Sequence, residues 1–266
     1  MNVKAAISVA RESTVAVFRY RETRAEKVKN GKVHPAKFNV SWGTGFCVVA
    51  DKYIVTAFHV LNEGKPRDPK DRYLIFIVPG NGEAAHHFPV IGFPVERVDT
   101  DMAVLEIGPC ATSGMQLPAV PVTFDIQPDG EHVTTVGFPA PEVAGLAIDA
   151  SGKYLGGNLF LKSHANEGIV SAQYSLGSIP VYEFNVGWLH GESGGPVLRV
   201  DAPIAAFSLM QQYRAIQSPH GKLPGPRTGK SVALDGLILD RLVGGEVQER
   251  WEQWDQSIML QQLGFA

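Results

Sequence analysis

Short β-type segments follow one another through most of this 266-residue chain. They are rich in Val, Ile, Phe and Tyr, and Gly, Pro, Asn and Asp separate them. Because no helical segment intervenes, the pattern favours a barrel or sandwich over a βαβ sheet. The predicted strands are Ser13–Tyr20, Thr44–Ala50, Tyr53–Ala57, Tyr73–Val78, Met102–Ile107, His132–Gly137, Gly168–Tyr174, Gly195–Val200 and Ile204–Met210.

Two shorter features divide this β-rich region. Lys27–Val33 is typical of a hairpin, because Asn30-Gly31 at its centre tolerates positive φ. Gly108–Pro118 contains Pro, Gly and Ser and is the predicted linker between two halves. We therefore predict an N-terminal domain over residues 1–112 and a second domain over residues 113–235.

The tail, residues 236–266, has a different period. Apolar residues recur there at steps of four, three and four, which brings them to one face of a helix. These residues are Val247, Trp251, Trp254 and Ile258. The pair Gly244-Gly245 breaks the chain before them. We predict a C-terminal helix packed on the β domains.

Charge and cysteine content narrow the class of partner and the cellular compartment. A net charge of -3 argues against nucleic acid as a partner. No apolar run approaches the roughly 20 residues that span a bilayer, and Met1–Ala10 has no apolar signal region, so neither a membrane nor a secretory route is expected. The only cysteines are Cys47 and Cys110. We therefore expect a reduced, cytoplasmic and prokaryotic protein.

Three local settings supply the groups that nucleophilic hydrolysis needs, namely a base, an acid that orients it and an attacking hydroxyl. Thr56–His59 presents a histidine at the end of a strand. Asp99–Leu105 places Asp101 directly before an apolar strand, and the rival Asp99 is read as a solvated turn residue. Gly191–Pro196 surrounds Ser193 with glycines, which let backbone N–H groups face a substrate.

The order His, Asp, Ser is that of the chymotrypsin type, and the sequence resembles the trypsin-like peptidases, especially their HtrA (Deg) branch. Further segments carry the resemblance: Gly43–Phe46, Asp99–Ile107, Val136–Pro139 and Gly168–Ser171. The family implies an all-β fold of two packed six-stranded antiparallel β-barrels. It also implies His59 as general base, Asp101 as its orienting acid and Ser193 as nucleophile. The implied oxyanion hole consists of the Gly191 and Ser193 amides.

Several positions depart from the family pattern. Too little chain follows residue 236 for a PDZ-like domain. Val60 stands where secreted members have a disulfide-bonded cysteine after the histidine, so Cys47 on the preceding strand lacks that partner. Glu192 stands where secreted members have an aspartate that pairs with a new N-terminus after cleavage, and no matching Ile-Val-Gly-Gly start is present.

Five further residues are predicted from the resemblance to contact substrate: Gly187, Trp188, His190, Ser208 and Met210. Gly187 stands where trypsin-type enzymes have a pocket aspartate, so a preference for Lys or Arg at P1 loses its electrostatic basis. Trp188, His190 and Met210 favour a small or apolar P1 side chain, with an acidic or polar P1 group bound by His190 as the alternative. The Ser208 carbonyl would pair with the substrate backbone.

The leading hypothesis is a serine endopeptidase that needs no cofactor and acts on a protein or peptide, with a regulatory protein partner. His86-His87 lacks further ligands at metal spacing, so no metal site is predicted. One alternative is a catalytically latent or pseudo-protease module that binds peptides. Another keeps the chemistry and changes the substrate, as an esterase.

Overall fold

A computed structural model of the chain describes residues 2–24, 27–29, 32–34, 37–62, 67–78, 85–111, 114–139, 141–148, 154–176, 179–187, 189–211, 214–216, 231–233, 236–243 and 246–254. The chain forms two compact units, Met1–Gln211 and Gln212–Ala266. Within the described ranges, no helix has the length and apolar character needed to cross a bilayer.

Six antiparallel strands close into a barrel in the first unit. In chain order they are β1 (Thr14–Arg24), β4 (Lys37–Val49), β5 (Tyr53–Ala57), β6 (Arg72–Ile77), β7 (His86–Arg97) and β8 (Met102–Ile107). β1 pairs with both β4 and β6, which closes the ring and removes its open edges. A hairpin of β2 (Lys27–Lys29) and β3 (Lys32–His34) lies between β1 and β4 in the chain.

Alternation along the strands fills the barrel interior. β8 alternates half-buried and buried positions, so that Ala103, Leu105 and Ile107 point inward. They pack with Val17 and Ile54, which are fully buried. The first domain therefore has its own apolar core, which fixes the ends of β5 and β8 beside each other.

A second, five-stranded antiparallel sheet completes the first unit, in the order β13-β12-β9-β14-β15. Its strands are β9 (His132–Gly137), β12 (His164–Leu176), β13 (Ile179–Phe184), β14 (Pro196–Arg199) and β15 (Ala205–Leu209). β10 (Glu142–Ile148) and β11 (Tyr154–Phe160) form a separate hairpin. This mostly β architecture is that of the chymotrypsin-like double barrel, as predicted, although the second sheet stays open among the residues that the structure describes.

Two helices flank these sheets. α1 (Val3–Ser13) begins at Asn2, whose side-chain oxygen accepts a hydrogen bond from the Ala5 amide at 3.1 Å. Its buried Ala10 packs with Val136 and Leu198 of the second sheet. α2 (Phe58–Asn62) is a short turn that follows β5 directly.

Each strand predicted from the sequence coincides with an observed strand, and the hairpin predicted over Lys27–Val33 is confirmed. The predicted linker lies between β8 and β9, outside the strands. Division at residues 112 and 235 stays a prediction.

The helix predicted for the tail is wrong over the described residues. β18 (Gly236–Val243) and β19 (Glu246–Trp254) form an antiparallel hairpin in the second unit, where β16 (Arg214–Ile216) also pairs with β17 (Ser231–Ala233). The register sets Arg241 opposite Glu249 and Asp240 opposite Arg250. Two glycines between the strands suit a hairpin as well as a helix break. Ile258 lies outside the described residues.

No disulfide joins Cys47 and Cys110. Val60, the residue after the candidate histidine, packs on the backbone of Gly43, where an added Cβ would lie within 2.6 Å of the valine methyl groups. Gly43 is therefore a β4 residue that faces Val60 directly. Packing of a small residue against a branched one joins β4 to the histidine turn.

The Cys47 thiol gives a testable dependence of stability on pH. Its side chain is fully buried, and this burial raises the pKa of Cys47 from 9.0 to about 11. A raised pKa means that the stabilising contribution is complete below pH 9 and is lost as the pH rises through 11. Over that pH interval we expect the free energy of unfolding of wild type to fall by about 2–3 kcal/mol more than that of Cys47→Ala. Urea denaturation at several pH values measures the difference, and a parallel alkaline response in both proteins would contradict it.

Candidate active site

Asp101 binds the histidine turn at the edge of the first barrel through three hydrogen bonds, two of them to His59. The His59 Nδ1 atom lies 2.7 Å from Asp101 Oδ2, and the His59 amide donates to Asp101 Oδ1 at 2.9 Å. The Phe58 amide donates to the Asp101 carbonyl oxygen at 3.0 Å. Because an ionised carboxylate only accepts hydrogen bonds, Nδ1 carries the hydrogen and Nε2 is left as the basic nitrogen.

Asp101 and Asp99 occupy different environments. Asp101 is 7% exposed and adopts a left-handed backbone with φ of 49°, directly before β8. Asp99 is exposed and forms a two-point pair with Arg97, with Nε–Oδ1 and Nη2–Oδ2 distances of 2.8 and 2.6 Å. The hydrogen bond to Arg97 lowers the pKa of Asp99 to about 2. Of the two acids, Asp101 contacts the imidazole.

The loop between β13 and β14 carries Ser193 and turns at two glycines with positive φ, namely 96° at Gly191 and 87° at Gly194. A Cβ on Gly194 would overlap the Thr44 carbonyl oxygen, so this position requires glycine for space as well as for φ. The Gly194 amide donates to the Met210 carbonyl oxygen at 2.6 Å. The loop is thereby tied to the end of β15.

Thr44 of the first barrel binds this loop from the other side. Its amide donates to the Ser193 carbonyl oxygen at 2.8 Å, and its hydroxyl donates to the Gly191 carbonyl oxygen at 2.7 Å. The same hydroxyl accepts from the Phe138 amide at 3.0 Å, and the Thr44 carbonyl accepts from the Thr56 hydroxyl at 2.6 Å. A fully buried residue thus uses its backbone and side-chain hydrogen-bonding groups to seat the loop.

Among the residues that the structure describes, two amides of the serine loop have no hydrogen-bond acceptor. Neither the Gly191 nor the Ser193 N–H donates to another described residue, whereas the amides of Glu192, Gly194 and Gly195 all do. Two unpaired N–H groups close together in the chain are the kind of donor that an oxyanion needs. Within the described ranges the Ser193 hydroxyl, 6% exposed as a residue, makes no hydrogen bond to His59.

The residues predicted to contact substrate are spread along two segments. Gly187 is exposed, and the nearest atom to an added Cβ there is Asn166 Oδ1 at 4.0 Å. The exposed His190 ring meets Trp42 edge to face, with ring centroids 6.2 Å apart. Ser208 lies on β15, and Met210 follows that strand and is buried. Trp188 lies outside the described residues.

Sequence reasoning missed Thr44 and Asn166 as parts of this site. Thr44 lies in the Gly-Thr-Gly-Phe strand that pointed to the family, but its hydroxyl acts through a loop 147 residues away in the chain. Asn166 binds the Glu192 carboxylate from β12. Neither role has a local sequence signal, since both depend on tertiary contacts.

A family model described as Trypsin-like peptidase domain matches residues 43–202. The chain belongs to this family. The match spans His59, Asp101 and Ser193, and it confirms the family predicted from the motifs. Among solved structures, the crystal structure of Deg5 is similar, with 18% sequence identity and a TM-score of 0.48, over 74% of this chain and 78% of that one. The sequence has no significant match among curated proteins.

The predicted histidine pair His86-His87 lies on β7. Among the described residues, no group of three or more His, Cys, Asp and Glu side chains lies close enough together to hold a metal ion.

Proposed function

We propose that this member of the trypsin-like peptidase family is a serine endopeptidase that cleaves proteins or peptides through His59, Asp101 and Ser193. The observation that carries the proposal is the bidentate contact of Asp101 with the His59 ring and amide, which leaves Nε2 as a base. A glycine-rich serine loop with two unpaired amides, seated on the same barrel through Thr44, supports it.

In the proposed reaction, Ser193 Oγ attacks the carbonyl carbon of the scissile bond while His59 Nε2 accepts the hydroxyl proton. The Gly191 and Ser193 amides donate to the oxyanion of the tetrahedral intermediate. As the carbon–nitrogen bond breaks, His59 returns the proton to the departing amine and an acyl-enzyme remains. Water then attacks the acyl group with His59 as base, which releases the acid and restores Ser193. Asp101 stabilises the imidazolium throughout.

The substrate and setting are proposed from the chemistry of single residues. Gly187 offers no charge at the pocket, which supports a small or apolar P1 side chain over Lys or Arg; His190 supports the acidic or polar alternative. Gly187, Trp188, His190, Ser208 and Met210 are the proposed substrate contacts. Two cysteines without a disulfide between them support a reducing, cytoplasmic setting. A prokaryotic source and a regulatory protein partner that restrains the activity are further parts of the proposal.

A second candidate is a latent enzyme or peptide-binding module. It is favoured by one observation, the missing hydrogen bond between the Ser193 hydroxyl and His59 among the described residues. Such bonds are often long in unliganded sites and tighten on substrate binding, which leaves the endopeptidase as the first candidate.

Reaction with a fluorophosphonate probe tests the proposal, since the probe labels only an activated serine. We expect wild type to be labelled and Ser193→Ala and His59→Ala to lose labelling, because one removes the nucleophile and the other its base. Ser171→Ala, a change of an exposed serine on β12, is the matched control and keeps labelling. If Ser193→Ala is still labelled, Ser193 is not the nucleophile. A folded wild type that does not react with the probe would favour the second candidate.

A further inference from the structure

Glu192, which precedes the candidate nucleophile, is buried at 2% exposure. Its Cα, Cβ and Cγ atoms lie against Gly137 of β9, where an added Cβ would approach them to 2.9–3.0 Å. The Glu192 carbonyl oxygen accepts from the Gly195 amide at 2.9 Å. The residue therefore has no room to leave its position without moving the serine loop.

The Glu192 carboxylate closes a ring of hydrogen bonds around the turn that leads to Gly191. The Glu192 amide donates to the Leu189 carbonyl oxygen at 3.1 Å, and the Leu189 amide donates back to Glu192 Oε2 at 3.0 Å. Two bonds between the same two residues, in opposite directions, fix the turn formed by the two residues between them, His190 and Gly191. The Gly191 amide, one of the two unpaired donors, belongs to that span.

The second carboxylate oxygen is anchored to the sheet. Glu192 Oε1 accepts from Asn166 Nδ2 at 3.1 Å. Asn166 lies on β12, pairs in register with Thr135 and accepts from the Thr134 hydroxyl through its carbonyl oxygen at 2.9 Å. The turn is thus tied to the central strands of the second sheet.

A carboxylate suits this position because two donors converge on it. An ionised carboxylate accepts at both oxygens, whereas an uncharged amide side chain accepts at one only. Burial raises the pKa of Glu192, and the hydrogen bonds from Leu189 and Asn166 oppose that effect. A buried acid whose pKa is shifted by burial, one residue from the proposed nucleophile, is a candidate for a functional role.

We propose that Glu192 is the positioning residue of the oxyanion hole: its carboxylate, bound to Leu189 and Asn166, holds the Gly191 and Ser193 amides in their assembled orientation without a new N-terminus made by cleavage. This inference rests on the proposed serine peptidase function. Glu192 acts through the loop and does not touch the reacting atoms.

The test compares Glu192→Gln with the double variant Glu192→Gln/Asn166→Asp. In the single variant one of the two donors loses its acceptor, and we expect the rate of fluorophosphonate labelling to fall about 10- to 1,000-fold. With an ester substrate, kcat falls by a similar factor and KM changes by less than about twofold, since the loss is confined to the transition state. In the double variant the acid and the amide exchange places, so the introduced amide donates to the introduced carboxylate. Labelling then recovers by at least about tenfold.

Glu183→Gln is the matched control, because Glu183 is exposed on β13 and, among the described residues, its side chain accepts only from the Tyr174 hydroxyl, at 2.8 Å. Amide hydrogen exchange over residues 189–193 gives a readout that needs no activity, and we expect faster exchange in Glu192→Gln than in wild type. If Glu192→Gln is labelled and exchanges its amides at the wild-type rates, the inference is overturned. It is also overturned if Glu192→Gln loses labelling and the double variant does not recover it. Both outcomes leave the proposed function intact. An unlabelled wild type would count against the proposed function, while the exchange data would still test the Glu192 contacts.

Discussion

Replacing Asp101 with asparagine is expected to lower kcat about ten-thousandfold while the protein stays folded. The geometry dictates which way the new amide faces. The His59 main-chain N–H needs the acceptor that Asp101 Oδ1 now supplies at 2.9 Å, so the amide oxygen takes that place. The Nδ2 group then faces His59 Nδ1, which must accept, and the ring proton moves to Nε2. The base that Ser193 needs is thereby removed. Hydrolysis of an activated ester measures the loss.

The backbone makes asparagine a clean substitution here. Asp101 has φ of 49°, a left-handed conformation that Asn and Asp tolerate better than other residues with a side chain. Asp99→Asn is the control, because Asp99 is exposed and bound to Arg97, and its turnover should stay within about twofold of wild type. Equal losses in the two variants, or full turnover in Asp101→Asn, would rule out Asp101 as the orienting acid.

Replacing Gly194 with alanine is expected to abolish labelling and to lower the free energy of unfolding by about 3–5 kcal/mol. The added Cβ would overlap the Thr44 carbonyl oxygen and lie 2.8 Å from the Ala57 amide nitrogen, and φ at this position is 87°. Thr44 cannot move aside, since the Thr56 hydroxyl holds that carbonyl at 2.6 Å. The loop must shift instead, and the bond from the Thr44 amide to the Ser193 carbonyl breaks.

Gly130→Ala is the control that separates the cost of a positive φ from the cost of steric overlap by the added Cβ. Gly130 has nearly the same φ, 83°, but no atom lies within 4 Å of an added Cβ apart from its chain neighbours. We expect a cost of about 1–2 kcal/mol and unchanged labelling. Urea denaturation and probe labelling of both variants provide the comparison. A Gly194→Ala protein as stable and reactive as Gly130→Ala would show that the loop adapts to the extra carbon.

The first-barrel strands that are dense in β-branched and aromatic residues could be predicted from the sequence. Strand β7 could not be predicted in this way. β7 contains Pro89 and Pro94 on either side of Gly92, and its pairing with β8 shifts register twice around that glycine. Proline and glycine within a strand are signals of a break, so local reasoning rejects a strand that tertiary pairing retains at its bulges. β10 and β13 carry the same kind of signal through Gly145 and Pro180.

In the tail, residues 236–266, the error is the opposite one: the spacing of apolar residues was interpreted as a helix where the structure has a β-hairpin. Steps of four, three and four are consistent with a helical face, but Trp251 is also opposite Leu239 in an antiparallel register. Period alone does not separate the two in a short segment, because the partner strand lies elsewhere in the chain.

The parts of the candidate site that have a local sequence pattern could be predicted from the sequence. A histidine after a strand, an acid before one and a serine among glycines are visible in the sequence, and the structure brings His59 and Asp101 into contact. Thr44 and Asn166 act across the fold, so only the assembled protein reveals them.

The contacts of the serine loop also set when a newly made chain can acquire a working site. Gly191 depends on Thr44, made 147 residues earlier, and Gly194 depends on the carbonyl of Met210, made sixteen residues later. A nascent chain on the ribosome therefore holds the histidine turn long before it can seat the serine. Loop closure makes contacts so distant in sequence costly in conformational entropy until the intervening chain is folded. On the proposed function, Ser193 is therefore seated for reaction only after β15 has been synthesised and paired.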